Sequence, residues 1–489
     1  MIFTAFSAKP DETQASHPLE LQSLRDLYVH DFPDKPPSSQ GDPFQFLKLQ
    51  RNKQHMIPCN RPPWAASSIP STLLHPIFGE FKDDCQNYKP TAADNKLVLT
   101  LSTEMSHFFD NEAARASKFR EILRDSDIDT SATVVEGTGF TTDGDIQLKG
   151  FRFVILEIKN EIGSKGAEPH AQAISYYIHS TKPSAPSRPG FRFPCILITL
   201  VGELSISIFH CHLPPMLTAS SGASIDFSAA VWGTRPNMQV LSTALPLFAH
   251  QTDTEMREMA ARHIGALRKA LCSLKQCYDE ELSRPTPLRP NLGFPYPLSY
   301  PCFNNPSLIR HFRYTSQMDN SKLLFAAAEL DDNEKICIKF VRHYSKDVHA
   351  FCASEGFAPT LKGFNELPGG WYMVVMEMIG EDYCCLSDLA RPYTHYEDIR
   401  QKLTSLHQAN YVHGDIRDMN IMVRKDGVQG FKLVDFDWSG TIGQVRYPMN
   451  VYRGPRLWRP PEVEDGQLIK ADHDIDMLNA ACRIHPNHV

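Results

Sequence analysis

Seven prolines fall between residues 285 and 306 of this 489-residue chain, in the stretch PTPLRPNLGFPYPLSYPCFNNP. Because a proline ring fixes φ and leaves no amide donor, neither a helix nor a central strand is expected to run through them. The cluster predicts a stiff linker over residues 283–307 and separate folded units over 96–282 and 308–489. Residues 1–95 are also rich in Pro, Ser and Asn, which favours an irregular arm with one short helix rather than a core.

The composition predicts a chain that folds over most of its length. Hydrophobic residues make up 42% of it, and the formal net charge is −7, so contact with nucleic acid would need a local basic patch. The 12 cysteines lack the spacing of a disulfide framework. The first residues show neither a basic start nor a long apolar run, which predicts a cytoplasmic or nuclear protein with no membrane span. His210, Cys211 and His212 would suit a metal, but neighbours on a strand point to opposite faces.

The unit 96–282 has the periodicity of a mixed α/β domain. FFDNEAARASKFREIL and AEPHAQAISYYIH read as helices, while TTDGDIQL and FRFVILEIKN read as strands joined at Gly150. FPCILITLVG and LSISIFH look like a second hairpin. A long amphipathic helix is predicted over 252–282, with Thr252 and Glu255 as its capping box.

The sequence VHGDIRDMNIMV places several polar residues on one short loop beside an apolar strand. Phosphoryl transfer needs a carboxylate to deprotonate the acceptor, oxygen ligands for Mg²⁺ and cations for the phosphates. Asp415 would be the base, Asn420 and Asp435 would bind Mg²⁺, and Lys339 in KICIKFV would contact the phosphates of ATP. Arg417 would offset charge on the transferring group. The alternative is that both aspartates cap loops and Lys339 is a surface lysine.

In order and spacing, Lys339, Asp415, Asn420 and Asp435 resemble the corresponding residues of protein kinases. The HGD, DFDW and HDIDML sequences resemble fungal-type protein kinases over about 180 residues. This resemblance implies a bilobal kinase-like fold that uses ATP and Mg²⁺ to phosphorylate Ser or Thr of a protein substrate. Only fifteen residues follow Asp474 of HDIDML, which implies a shortened C-lobe.

The same resemblance implies roles for four further residues. Asp474 would open the long helix that anchors the catalytic loop. Asp347 would be the acidic partner of Lys339. Glu377 and Met378, in VVMEMIG, would present main-chain groups of the hinge to adenine.

Several positions depart from the protein-kinase pattern. No G-x-G-x-x-G precedes Lys339, and Asp437 stands where DFG has glycine. Gly414 replaces the arginine that would bind an activation-loop phosphate, so switching by such a phosphate is not expected. HGD with DFD is also similar to small-molecule kinases of the aminoglycoside and choline families. A nucleotide-binding pseudokinase scaffold is therefore an alternative.

A second group of polar residues lies in TDGDIQLKGFRFVILEIKNE. Glu157 and Lys159 share one face of a strand, and Asp143 and Asp145 share one face of the strand before it. A hairpin would bring an aspartate next to Glu157. Two carboxylates can then hold Mg²⁺ while the lysine orients or activates water beside a phosphodiester.

This pattern resembles the RecB-like branch of the PD-(D/E)XK nuclease superfamily. TDG stands for its PD element and EIK for its (D/E)XK element, and Gln172 and Tyr176 suit its Q-x-x-x-Y element. The resemblance implies a restriction-endonuclease-like α/β domain that binds DNA, with Asp143 and Glu157 at the metal, Lys159 in catalysis and Gln172 in support. Glu112 is a further acid. Nuclease-like and kinase-like domains are joined in Crinkler-type fusion proteins, where the kinase-like domain would regulate the nuclease. The alternative is an exposed Glu157–Lys159 ion pair.

Overall fold

The chain is a mixed α/β protein that divides into two compact units between Tyr296 and Pro297. None of the helices in the described part of the chain combines the length and apolar character needed to span a bilayer. The computed structural model describes residues 18–66, 69–162, 166–204, 223–248, 252–284, 292–319, 322–389, 393–454 and 457–484.

Within the described part of the first 95 residues, 18–66 and 69–95, six helices begin, and four of them start at a proline. Proline suits the first helical position because that residue needs no amide hydrogen-bond donor. The prediction of an irregular arm is therefore wrong for the described residues, and Leu73, Phe78 and Phe81 are buried. The helices are α1 (Pro18–His30), α2 (Pro37–Gln40), α3 (Pro43–Arg51), α4 (Ser71–Leu74), α5 (Pro76–Asn87) and α6 (Ala92–Glu104).

One sheet with the strand order β1-β2-β3-β4-β5 organises the N-terminal unit, and β6 pairs with β4. Strands β2 and β3 are parallel, and the other pairs are antiparallel. Two parallel strands need a crossover connection, and the helix α8 (Pro169–Thr181) lies between β2 and β3 in the chain. In chain order these elements are α7 (Glu112–Arg124), β1 (Gly144–Leu148), β2 (Phe151–Ile162), α8 (Pro169–Thr181), β3 (Cys195–Leu204), β4 (Ser224–Trp232), β5 (Pro236–Val240), β6 (Leu245–Pro246) and α9 (Thr254–Ser283).

The hairpin predicted around Gly150 is confirmed, and this glycine has a φ of +86° in the turn between β1 and β2. The predicted long helix is also present as α9, but its N-cap is Asp253 rather than Thr252. The Asp253 carboxylate accepts a hydrogen bond from the Met256 amide at 3.1 Å. Except for Leu204, which ends β3, the predicted strand LSISIFH and the His210–His212 stretch lie outside the described residues.

A closed barrel with the strand order β10-β12-β11-β7-β8-β9 begins the C-terminal unit. Its first two strands start at Ser299 and Asn305, so the predicted linker over 283–307 is wrong in its last part. Leu292 and Phe294 are buried before it, and residues 285–291 lie outside the described chain. The elements are β7 (Ser299–Cys302), β8 (Asn305–Asp319), β9 (Leu324–Glu329), β10 (Lys335–Val341), α10 (Lys346–Ser354), β11 (Leu361–Leu367) and β12 (Trp371–Glu377).

The rest of this unit packs helices against two small sheets, β13-β15-β16 and β14-β17. Buried Leu403, Leu406, Ile421, Val423 and Leu478 belong to one apolar core. The loop 413–420 therefore runs between two strands that this unit holds in place. The elements are β13 (Tyr383–Cys385), α11 (Tyr396–Gln408), β14 (Tyr411–Val412), β15 (Ile421–Arg424), β16 (Phe431–Leu433), β17 (Gly440–Thr441) and α12 (Ala471–Ile484).

Candidate functional site

The loop between β14 and β15 is fixed by a buried carboxylate on α12. Asp474 accepts main-chain hydrogen bonds from His413 and Gly414, both at 2.8 Å. His407 Nε2 lies 3.1 Å from Asp474 Oδ2. Gly414 has a φ of +83°, and a Cβ there would lie 2.9 Å from Ile469 Cδ1. The loop therefore needs both the acid at 474 and glycine at 414.

Asp415 follows directly and is only 5% exposed. Asn420 Nδ2 donates to Asp415 Oδ2 at 2.9 Å, and Arg417 Nε lies 3.2 Å from the same oxygen. Arg459 Nη2 lies 2.5 Å from Asp415 Oδ1. Asn420 and Arg417 lie on the same loop as Asp415, so the sequence of the loop itself indicates these two contacts. Arg459 was missed because it is 44 residues away and belongs to no recognised motif.

Lys339 is buried between two carboxylates. Its Nζ lies 2.6 Å from Asp435 Oδ1 and 2.5 Å from Asp437 Oδ1, and Lys322 Nζ lies 2.7 Å from Asp435 Oδ2. Burial would lower the pKa of Lys339, but both carboxylates raise it. The reading of Lys339 as a surface lysine is therefore wrong.

The two aspartates on either side of Phe436 have opposite pKa shifts. Burial would raise the pKa of Asp435, but Lys339 and Lys322 hold it well below its usual range. Burial, together with the charge of Asp435, raises the pKa of Asp437 to about 7 despite the opposing effect of Lys339. Asp435 is therefore the permanent carboxylate, and Asp437 changes charge near neutral pH. From the sequence, Asp437 is expected either to add charge near the metal or to cap a turn, and in the structure it pairs with Lys339.

The predicted Lys339–Asp347 ion pair is wrong. Asp347 lies in the first turn of α10 and is exposed, while Lys339 pairs with Asp435 and Asp437 instead. The buried face of α10 carries Val348, His349 and Cys352. Asp347 lies one position outside this face, so the phase of the helix turns it toward solvent.

The predicted hinge residues line a largely apolar cavity that reaches Lys339 and Asp435. Glu377 ends β12 and Met378 follows it. The Glu377 carboxylate accepts a hydrogen bond from the Thr360 amide at 3.1 Å, so its side chain has a structural partner. Methionines dominate the remaining wall, with Met318, Met376, Met419 and Met422 beside Leu324, Cys337 and Val434.

Asn420 and Asp435 have the chemistry of a Mg²⁺ pair. Asn420 Nδ2 donates to Asp415, while its Oδ1 is buried and has no hydrogen-bond partner among the described residues. Asp435 supplies a carboxylate beside the same cavity. Mg²⁺ prefers such oxygen ligands. The residues present therefore fit the metal.

A separate acidic cluster occupies the N-terminal unit. One carboxylate oxygen from each of Glu112, Asp143 and Glu157 lies within 4.8 Å of the others. Gly144 pairs with Leu156, so the register of β1 and β2 sets Asp143 opposite Glu157. Lys159 Nζ lies 2.7 Å from Glu157 and 3.3 Å from Glu112. Because Glu157 is 0% exposed, the reading of an exposed ion pair is wrong.

Asp145 does not join this cluster, although sequence analysis placed it on the same face as Asp143. Its Oδ2 accepts hydrogen bonds from Thr133 at 2.5 Å and Thr142 at 2.6 Å, and it lies 3.2 Å from Arg152 Nε. Asp145 therefore has a structural role. It fixes β1, which begins at Gly144, next to Asp143 of the cluster.

Burial dominates the electrostatics of the cluster. It raises the pKa of Glu157 well above the usual value, and the charge of Asp143 adds to the shift. Burial also raises the pKa of Asp143. Glu157 Oε2 and Gln172 Oε1 are buried and lack a hydrogen-bond partner among the described residues, while Glu157 Oε1 has the ion pair with Lys159. The carboxylates of the cluster are oxygen ligands that suit Mg²⁺ or Mn²⁺, and the predicted Gln172 lies on α8, which contacts β2.

The comparisons with known proteins are weak. No protein-family model matches the chain, and no curated protein sequence matches it. Among solved structures, the kinase PK-1 of Cydia pomonella granulovirus is 15% identical over 35% of this chain and 67% of its own, with a TM-score of 0.30. Vaccinia related kinase 3 is 16% identical over 42% of this chain and 72% of its own, with a TM-score of 0.27. Likenesses at this level say nothing about activity, which must be inferred from the site residues.

Proposed function

We propose that the C-terminal unit transfers the γ-phosphoryl group of ATP to a Ser or Thr hydroxyl of a protein. The observation that carries this proposal is the meeting of Lys339 and Asp435, 96 residues apart, at 2.6 Å beside the Asn420 oxygen. A buried lysine, a permanent carboxylate and an unsatisfied amide oxygen together suit a metal-bound triphosphate.

Each residue has a defined part in this reaction. Asp415 takes the proton of the acceptor hydroxyl as its oxygen bonds to the γ-phosphorus. The bond from that phosphorus to the β–γ bridging oxygen breaks, and ADP leaves with the electron pair. Lys339, Lys322 and Arg417 bring positive charge to the phosphates. When bound by Asn420 and Asp435, Mg²⁺ neutralises part of the triphosphate charge.

The cavity beside these residues suits the base of ATP. Its apolar wall would bury adenine, and the main chain at Glu377 and Met378 would provide hydrogen-bonding groups at the edge. Selectivity for ATP therefore rests on backbone groups and methionine side chains, which adapt their shape to a flat ring.

Phosphate transfer from labelled ATP is the direct test. Asp415→Asn should cut autophosphorylation at least about a hundredfold, the typical cost of a lost general base, and leave Mg·ATP binding intact. The control is Asp418→Asn on the same loop, whose side chain bonds the adjacent Met419 amide. Equal rates in the parent and Asp415→Asn would reject Asp415 as the base. Mg·ATP binding without any turnover in the parent would support the pseudokinase scaffold instead.

We also propose a second candidate function, metal-dependent cleavage of DNA by the N-terminal unit. It is supported by the buried cluster of Glu112, Asp143 and Glu157 with Lys159 beside it. Lys159 would orient or deprotonate the attacking water and balance charge on the scissile phosphate. A metal held by Asp143 and Glu157 would polarise that phosphate. The kinase-like unit would then regulate or target the nuclease.

This second function is tested by DNA cleavage and by melting of the full chain, each with and without Mn²⁺. Lys159→Ala should stop cleavage but retain the gain in melting temperature that the metal gives. Glu157→Gln should lose both. Lys96→Ala, an exposed lysine on α6, is the control. Equal metal-induced shifts in the parent and Glu157→Gln would contradict the proposed site.

A further inference from the structure

Arg459 is a buried arginine whose guanidinium reaches the candidate base. Its Nη2 lies 2.5 Å from Asp415 Oδ1, its Nε donates to the Tyr452 carbonyl at 3.3 Å, and its Nη1 lies 3.3 Å from Met477 Sδ. The guanidinium also lies over the Trp438 ring, 4.8 Å from its centroid. The arginine is therefore held on four sides, and Asp415 is its carboxylate partner.

This contact conflicts with the role of Asp415 as a base. An acceptor hydroxyl must come within hydrogen-bond reach of a carboxylate oxygen of Asp415, which is only 5% exposed behind its existing partners. Arg459 occupies Oδ1, while Asn420 and Arg417 occupy Oδ2. If a neutral acceptor displaced Arg459, it would leave a buried guanidinium without a counter-charge, which is strongly unfavourable. An acceptor that carries its own anion avoids that penalty.

The segment that leads to Arg459 has matching chemistry. Residues 446–459 contain no acidic residue, and the Asp465 carboxylate bonds to their main chain, where it accepts from the Asn450 and Val451 amides. Arg446 and Arg453 are exposed in it. The apolar side chains of Met449, Tyr452 and Trp458 are exposed as well. A surface with positive charge and open apolar groups is complementary to an acidic peptide that also carries hydrophobic residues.

We infer that Arg459 determines acceptor specificity, because it selects peptides with an acidic residue beside the phosphorylated Ser or Thr. The acceptor carboxylate pairs with Arg459, and Asp415 Oδ1 becomes free to take the hydroxyl proton. The inference rests on the proposed kinase function and names the acceptor class of that site. When the acidic peptide is bound, its carboxylate replaces Asp415 as the counter-charge of Arg459.

Peptide binding tests this inference independently of catalysis. Two fluorescent serine peptides are compared by anisotropy, identical except that glutamates flank the serine in one and glutamines in the other. The parent should bind the acidic peptide at least about tenfold more tightly, as expected for a charge-assisted hydrogen bond. Arg459→Met should bring the ratio close to one. Arg313→Gln, an exposed arginine on β8, removes the same charge and should keep the parent ratio.

A second variant covers the case in which Arg459→Met fails to fold. Asp415→Asn removes the internal partner of Arg459, so the acidic peptide should bind several-fold more tightly than to the parent while the neutral peptide binds unchanged. Equal affinities of the parent for both peptides would overturn the inference. So would a preference that survives in folded Arg459→Met, or weaker acidic binding in Asp415→Asn. If the parent prefers the acidic peptide but transfers no phosphate, the kinase proposal is rejected, while recognition of the peptide by Arg459 stands.

Discussion

Asp474 and His413 are 61 residues apart in the chain, yet Asp474 Oδ2 accepts a 2.8 Å hydrogen bond from the His413 amide. The second oxygen of Asp474 accepts from Gly414 in the same way. One carboxylate on α12 therefore sets the path of the loop that presents Asp415. Through this pair, the geometry of the loop that carries Asp415 depends on the folding of the last described helix.

Asp474→Asn should destabilise the C-terminal unit. The amide replaces one acceptor oxygen with a donor that faces a main-chain N–H, and the remaining bond loses its charge. We expect a loss of about 2–4 kcal/mol in the free energy of unfolding, measured by urea denaturation. Asp472→Asn, an exposed acid in the same helical turn, is the control and should change it little. Equal effects of the two variants would show that the two hydrogen bonds are not what stabilises the loop.

Gly414→Ala should also destabilise the loop, through both strain and crowding. Residue 414 has a φ of +83°, which strains an alanine. Its Cβ would also lie 2.9 Å from Ile469 Cδ1 and 3.0 Å from the Trp438 carbonyl oxygen. We expect a loss of about 1–3 kcal/mol in the free energy of unfolding. Gly443→Ala separates the two causes, because Gly443 has a φ of +78° with nothing within 4 Å of a Cβ. If Gly443→Ala is as costly, crowding at residue 414 contributes nothing.

Asp437→Asn should strengthen ATP binding, most clearly above pH 7. The pKa of Asp437 is raised to about 7, so this carboxyl is neutral below that pH and acquires a negative charge beside Lys339 above it. The charge repels phosphates and competes for the lysine. The ratio of parent to variant Kd should therefore rise between pH 6 and pH 8, measured by calorimetry. Taking the ratio cancels the titration of ATP itself. A ratio independent of pH would show that Asp437 does not titrate in this range.

Metal binding to the N-terminal unit should weaken in acid. Because burial raises the pKa of Glu157, its folded form keeps a proton at pH values where an unfolded chain would lose it. As the pH rises, ionisation of Glu157 therefore lowers the free energy of unfolding of the metal-free protein. At lower pH a metal must first displace the proton of Glu157. The gain in melting temperature from Mn²⁺ should be larger at pH 8 than at pH 5.5. A gain of the same size at both values would argue against Glu157 as a ligand.

Spacing alone could predict residues whose partners lie nearby in the chain, whereas Lys339, Asp435 and Asp474 were named through the resemblance to protein kinases. Asp415, Arg417 and Asn420 share one loop, and the Glu157–Lys159 pair lies on one strand, so spacing alone was informative. The prediction for Asp347 failed because it depended on the rotational phase of α10, which a single sequence does not fix. Arg459 was missed because its contact depends on how distant segments pack.

The N-terminal helices were missed for a different reason. Prolines were treated as signals of irregular structure, but Pro37, Pro43 and Pro76 each occupy the first turn of a helix. Proline is compatible with that one helical position and excluded from the interior. Composition counts prolines without their position, so it could not separate a disordered arm from a series of short helices.

The side chain of Phe436 has a pharmacological consequence. It is 1% exposed and stacks on His349, with ring centroids 4.6 Å apart and planes at 10°. Asp435 before it has a φ of +73°, and the next residue is Asp437, which lacks the freedom of glycine. Rotating Phe436 out of its place would break this stacking on His349. If the C-terminal unit binds ATP as proposed, inhibitors that need the Phe436 pocket vacated should bind poorly, and compounds confined to the methionine-lined cavity should bind better.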